Sequence, residues 1–145
     1  MKKYFVVGNP IEHSLSPKLH NYWLKENNIN AQYEKIKINK EDLIFLINKI
    51  KDQKINGINV TVPFKKEIIP YLDKLSTEAE QTQSVNTIIF SNKKLIGYNT
   101  DIFGFSKAIQ NLNFNIEDKK VLILGAGGVV PSLIFALEKM KVSQI

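Results

Sequence analysis

Neither cysteine nor arginine occurs among the 145 residues of this chain. Without cysteine there is no disulfide framework and no thiolate metal site. Without arginine the forked contacts that read guanine or clamp phosphate are missing, although 20 lysines give a formal net charge of +6. The lysines are scattered among glutamates and aspartates, with no basic stripe and no interleaved aromatics, so nucleic acid is not an expected partner. A generally positive surface still attracts small anions such as a carboxylate or a phosphorylated cofactor. No apolar run approaches the roughly 20 residues that span a bilayer. The apolar run within Met1–Pro10 also falls short of the roughly 7–15 residues of a secretory signal core. A soluble, cytoplasmic protein is expected, with no membrane contact. His13 and His20 have no ligand partner at a recognisable spacing, so no metal is expected either.

What the chain does have is alternation of strands and helices. Tyr4–Val7 reads as a strand, and Pro17–Glu26 as a helix with Leu19, Tyr22 and Trp23 on one face. Tyr33–Ile38 is a second strand. Asn39 caps a helix with Glu41 and Asp42 in its first turn and Leu43, Leu46, Ile47 and Ile50 on its apolar face. Ile58–Val62 is a third strand, and Thr87–Phe90 with Leu95–Tyr98 form a hairpin. This order predicts an α/β fold, a mostly parallel sheet with helices on both faces. A boundary is expected near residue 100, giving a first domain over 1–100 and a second segment over 101–145. The second segment opens with a linker helix whose apolar positions are Phe103, Phe105, Ile109 and Leu112. It continues into a strand at Val121–Leu124, buried on both faces, then a glycine turn and a helix over Pro131–Met140, the first βα unit of a Rossmann-like domain.

Several polar residues stand at element ends. Lys65 follows the third strand and Pro63, and the sequence after it, Lys66 to Leu72, reads as a short helix. A lysine in a first helical turn is opposed by the macrodipole by roughly 0.3–1 kcal/mol, and Lys66 adds repulsion, so acid–base work near neutral pH is expected of it. The alternative is a solvated surface lysine. Ser16 before Pro17 reads as a helix N-cap, and Ser14 points its hydroxyl to the same side, so the two can hold a carboxylate. Alternatively Ser16 only caps and Ser14 is a turn residue. Thr61, Asn86 and Asp101 are also at or near element ends, where ligands of open α/β sheets bind. A lysine beside an aspartate can hold a substrate hydroxyl and exchange its proton.

These motifs, Gly8-Asn9-Pro10 with Ser14-Leu15-Ser16-Pro17, Asn59-Val60-Thr61-Val62-Pro63-Phe64-Lys65, Ser84-Val85-Asn86-Thr87, Gly97-Tyr98-Asn99-Thr100-Asp101 and Gly125-Ala126-Gly127-Gly128, occur in an order that resembles the amino-terminal part of the shikimate dehydrogenases. The resemblance implies reversible reduction of 3-dehydroshikimate to shikimate with NADPH, in aromatic amino-acid biosynthesis. It implies that Ser14 and Ser16 bind the substrate carboxylate, and that Thr61, Lys65, Asn86 and Asp101 contact its ring hydroxyls. Lys65 and Asp101 are then the catalytic residues.

Gly125, Ala126, Gly127, Gly128 and Val129 follow a strand and open a helix, the context of a dinucleotide fingerprint. The third fingerprint position is Val130, where glycine or alanine would pack closest. Thr77 stands where the family often has an acidic residue and is given no role. The residue that separates NADP from NAD is expected about 20 positions beyond the first glycine, at the chain's last residue, so the sequence reads as a fragment of a longer enzyme. A homodimer or self-association through residues 121–145 is then expected. Two alternatives stay open, an NAD-using quinate/shikimate paralogue and a binding module without hydride transfer.

Overall fold

The computed structural model describes residues 1–145. In chain order the elements are β1 (Lys2–Gly8), α1 (Ser16–Glu26), β2 (Ala31–Lys37), α2 (Leu43–Lys51), β3 (Gly57–Val60), β4 (Lys74–Leu75), α3 (Thr77–Thr82), β5 (Thr87–Ser91), β6 (Lys94–Tyr98), α4 (Asp101–Asn111) and α5 (Val130–Lys139). The strands form one six-stranded sheet in the order β2-β1-β3-β5-β6-β4. Only β5 runs against the rest, so the sheet is mostly parallel, as the strand–helix alternation predicts. The β5–β6 hairpin turns through Asn92 and Lys93, both left-handed at φ 51° and 61°. Two consecutive left-handed residues match the twist of a two-residue hairpin.

Side-chain alternation along β1 sends Val7 to one face and Val6 to the other. On the first face Leu43, Leu46, Ile47 and Ile50 of α2 pack with Val7, Ile58, Val60, Ile88 and Leu95 in the main core. Each such aliphatic side chain, fully buried, contributes about 1.5–3 kcal/mol. On the opposite face Val6, Ile11 and Tyr33 form a smaller cluster with Tyr4 and Leu24 of α1. The helices α1 and α2 thus cover opposite faces. The apolar face of α2 is as expected, and its entry is held by Asn39, whose N–H donates to Asp42 Oδ2 at 2.8 Å.

Four local expectations are corrected. No residue of α1 is buried, and Leu19, Tyr22 and Trp23 are exposed, because Leu24 is the apolar residue that meets the sheet. Ser16 makes no side-chain cap; Leu15 precedes the helix, and the hydroxyl of Ser14 accepts from the Ser16 N–H at 3.4 Å. Residues 62–68 form successive turns, and only Ile69–Tyr71 winds as a 3-10 helix, so no regular helix places a macrodipole behind Lys65. In α4, Ile102 is the buried residue whereas Phe103, and Leu112 just after the helix, are exposed. The run 121–124 is a fifth departure of a different kind. It has no paired strand beside it, only a bridge from Lys120 to Gln144, and its leucines face outward. A strand buried on both faces needs neighbours that supply its hydrogen bonds, and the chain offers none there.

Candidate functional site

Because β5 is antiparallel, its amino end lies at the same sheet edge as the carboxyl ends of β1, β3 and β6. The register pairs Asn59 with Thr87 and Thr87 with Tyr98. Gly8, Thr61, Asn86 and the Asn99-Thr100-Asp101 segment therefore emerge along one edge, the position at which open α/β sheets take their ligands. Gly8 is required by close approach: a Cβ there would lie 2.6 Å from Thr61 Cγ2 and 2.9 Å from the Val62 carbonyl oxygen.

At this edge Lys65 Nζ donates to Asp101 Oδ2 at 2.6 Å, with the two side chains 12% and 24% exposed. Asn86 Nδ2 donates to the other carboxylate oxygen of Asp101 at 2.8 Å. The Asn86 oxygen accepts the main-chain N–H of Thr100 at 3.0 Å, which fixes the amide's orientation. Charged hydrogen bonds of this kind are about twice as strong as neutral ones. Asn99, buried, orients the start of α4 by accepting the Asp101 N–H at 3.1 Å. Its amide nitrogen reaches Thr82 Oγ1 at 2.9 Å and Ser132 Oγ at 2.8 Å, tying α3, α4 and α5 together.

A cavity of about 280 Å³ lies where Thr61 follows β3, lined by Ser14, Ser16, Thr61 and His13 together with Val6, Pro10 and Ile11. The loop carrying the serines is anchored by Glu12. Its carboxylate accepts the Ile11 N–H at 3.0 Å and pairs with Lys37 Nζ at 3.2 Å. Main-chain N–H donation from Glu12 itself and from Ile11, then Lys37, draws the Glu12 carboxyl from 4.5 down to about 2. The Glu12 carbonyl also accepts from Lys35 Nζ.

A second cavity, about 310 Å³, is lined in part by Lys65, together with Pro63, Lys66, Ser84, Ala126, Gly127, Gly128 and Pro131 among others. Gly125 has φ +117°, a conformation that favours glycine, and the space around Gly127 and Gly128 is open. The amides of Ala126, Gly127, Gly128 and Val129 donate to no backbone acceptor. Free amides before a ten-residue helix, facing two lysines, fit a pyrophosphate.

The structure thus brings Lys65, Asn86 and Asp101 into direct contact and gathers Ser14, Ser16 and Thr61 around one cavity. Sequence reasoning gave no site role to His13, Asn59, Thr87 or Asn99, although the last three stand inside the quoted motifs.

The shikimate dehydrogenase substrate binding domain matches residues 6–88. The chain belongs to the shikimate dehydrogenase family. Shikimate dehydrogenase (NADP(+)) of Pelagibacter ubique is 57% identical over all of this chain, which covers 55% of that protein. The Aquifex aeolicus enzyme of the same name is 45% identical over 94% of the chain, or 51% of its own length. Its crystal structure superposes with a TM-score of 0.93 at 42% identity, covering 99% of this chain and 54% of that one. The Thermus thermophilus enzyme, solved in complex with shikimate, gives a TM-score of 0.92 at 31% identity, covering 99% and 55%. The chain spans about half the length of the curated relatives it matches.

Proposed function

We propose that this shikimate dehydrogenase chain forms the substrate side of an NADP-dependent enzyme that interconverts 3-dehydroshikimate and shikimate. In this reading residues 1–100 bind substrate and residues 101–145 begin the cofactor-binding part. The observation that carries it is the Lys65–Asp101–Asn86 constellation at the sheet edge of a chain in this family. Relatives bear the NADP(+) name, and one neighbour was solved with NADP(+).

Ser14 and Ser16 would hold the substrate carboxylate with their hydroxyls, and Thr61 would meet the ring beside them. Asp101 would accept from a ring hydroxyl while holding Lys65 against the neighbouring oxygen, and Asn86 fixes the carboxylate. In the reductive direction Lys65 gives a proton to the carbonyl oxygen; in the oxidative direction it takes that proton back from the hydroxyl. Gly125, Ala126, Gly127, Gly128 and Val129 would hold the pyrophosphate of NADP, which supplies or accepts the hydride when bound. Work as a cytoplasmic enzyme fits the absence of any helix long and apolar enough to cross a membrane. Self-association is part of the same reading and rests on the exposed run 121–124.

Calorimetric titration of the chain with shikimate tests the substrate half, with saturable binding expected. Joining the chain to the remaining half of the Pelagibacter relative and following NADP reduction tests the reaction. No heat of binding at millimolar shikimate, with no turnover by the joined enzyme, would sink the reading.

A further inference from the structure

A directed series of hydrogen bonds runs across the sheet from β2 to the substrate site. The Tyr33 hydroxyl reaches over β1 and donates to Asn59 Oδ1 at 2.6 Å. Asn59 cannot be turned the other way, because its Nδ2 donates to the Asn86 main-chain carbonyl at 3.1 Å, a group that only accepts. The same Nδ2 donates to Thr87 Oγ1 at 2.9 Å, so the Thr87 hydrogen is directed to Asn86 Oδ1 at 3.0 Å. Asn86 Oδ1 already faces the Thr100 N–H, which leaves its Nδ2 to donate to Asp101 and, at 2.9 Å, to Thr100 Oγ1. Every donor in the series therefore has one direction, set at two points by main-chain groups.

We propose that Thr87 and Tyr33 are positioning residues of the substrate site, Thr87 bonding the Asn86 amide directly and Tyr33 acting through Asn59 and Thr87, so that the Asn86 amide, and with it the Asp101 carboxylate, is held where they meet the substrate's ring hydroxyls. The inference rests on the reading of Asn86 and Asp101 under the proposed function. Tyr33 suits the outer end of the series. Its ring is buried, stacks on His20 at 4.1 Å with 4° between planes, and burial pushes its phenol up, so it remains a donor. Thr87 suits the middle: a hydroxyl donates and accepts at once, which neither valine nor alanine can do.

The test compares Thr87→Val, Thr87→Ser and Tyr33→Phe in the 145-residue chain, reading hydrogen exchange of the Asn86 side-chain amide by NMR. Thr87→Val is expected to speed this exchange roughly tenfold, with Thr87→Ser restoring the parent rate. Shikimate affinity should fall roughly fivefold in Thr87→Val, while cyclohex-1-enecarboxylate, which lacks ring hydroxyls, should bind as to the parent chain. Asn86 exchange in Thr87→Val within about threefold of the parent would overturn the proposal. Should Thr87→Val not fold, the same threshold applied to Tyr33→Phe decides. Failure of the parent chain to bind shikimate would remove the functional reading alone, because amide exchange is measured without ligand.

Discussion

Lys65 and Asp101, 36 residues apart in sequence, meet through a 2.6 Å bond between Nζ and Oδ2 in a mostly buried setting. The chemistry expected of Lys65 therefore draws on a partner carboxylate and not on a helix terminus. The pair is bonded again through Asn86, whose amide holds the second oxygen of Asp101. A lysine so held can exchange a proton only with an atom placed beside it, which is how positioning would contribute to catalysis.

Lys65→Ala in an active enzyme carrying this domain should lower kcat by roughly 10²–10⁴ with a much smaller change in the KM for shikimate, as when a proton-transfer group is removed. Steady-state kinetics with shikimate and NADP check this. Near-normal kcat would remove Lys65 from the chemistry.

Replacing Ser14 and Ser16 together by alanine should weaken shikimate binding by about 1.5–3 kcal/mol for each lost bond to a charged group, leaving NADP affinity nearly unchanged. Because Ser16 makes no cap bond and Ser14 accepts only a long 3.4 Å bond, the double variant should lose less than about 1 kcal/mol of stability. Calorimetry and urea unfolding separate the two effects. Unchanged shikimate affinity would return both serines to a structural role.

Glu12 gives a pH signature. Its carboxyl lies near 2 in the folded chain against an ordinary 4.5, so the folded state binds fewer protons than the unfolded one through that window. Its contribution to stability is fully present above pH 4.5 and is lost as the pH falls toward 2. Glu12→Gln should therefore flatten the stability-against-pH curve between those values, read by urea unfolding at a series of pH. Parallel curves for parent and variant would rule out the Glu12 linkage.

How much of this was legible in the sequence depended on whether a signal was local. The α2 face was readable because Leu43, Leu46, Ile47 and Ile50 carry the helical period themselves, and all four are buried. The hairpin was readable because Asn92 marks a left-handed turn. The helix after Lys65 was not, since its apolar spacing is satisfied equally by successive turns that bury Phe64 and Ile68. The bond between Asn86 and Asp101 follows from the antiparallel pairing of β5 with β3, a long-range partner that no local pattern names. Residues such as Thr87 and Asn59 look like ordinary strand residues until their cross-strand pairing is known.

The run Val121–Leu124 leads to the last expected outcome. Its backbone has no paired strand, and Leu122 and Leu124 are 82% and 89% exposed. An extended apolar segment with open hydrogen-bonding groups is a template for another chain, and burying two leucines would contribute about 1.5–3 kcal/mol each. The 145-residue chain should therefore sediment above its 16.6 kDa monomer mass at high micromolar concentration. Changing Leu122 and Leu124 together to lysine should return it to monomer without altering its far-ultraviolet circular dichroism, because neither side chain supports the core. A parent chain that stays monomeric, or a double variant that associates as strongly, would show that this run does not drive association.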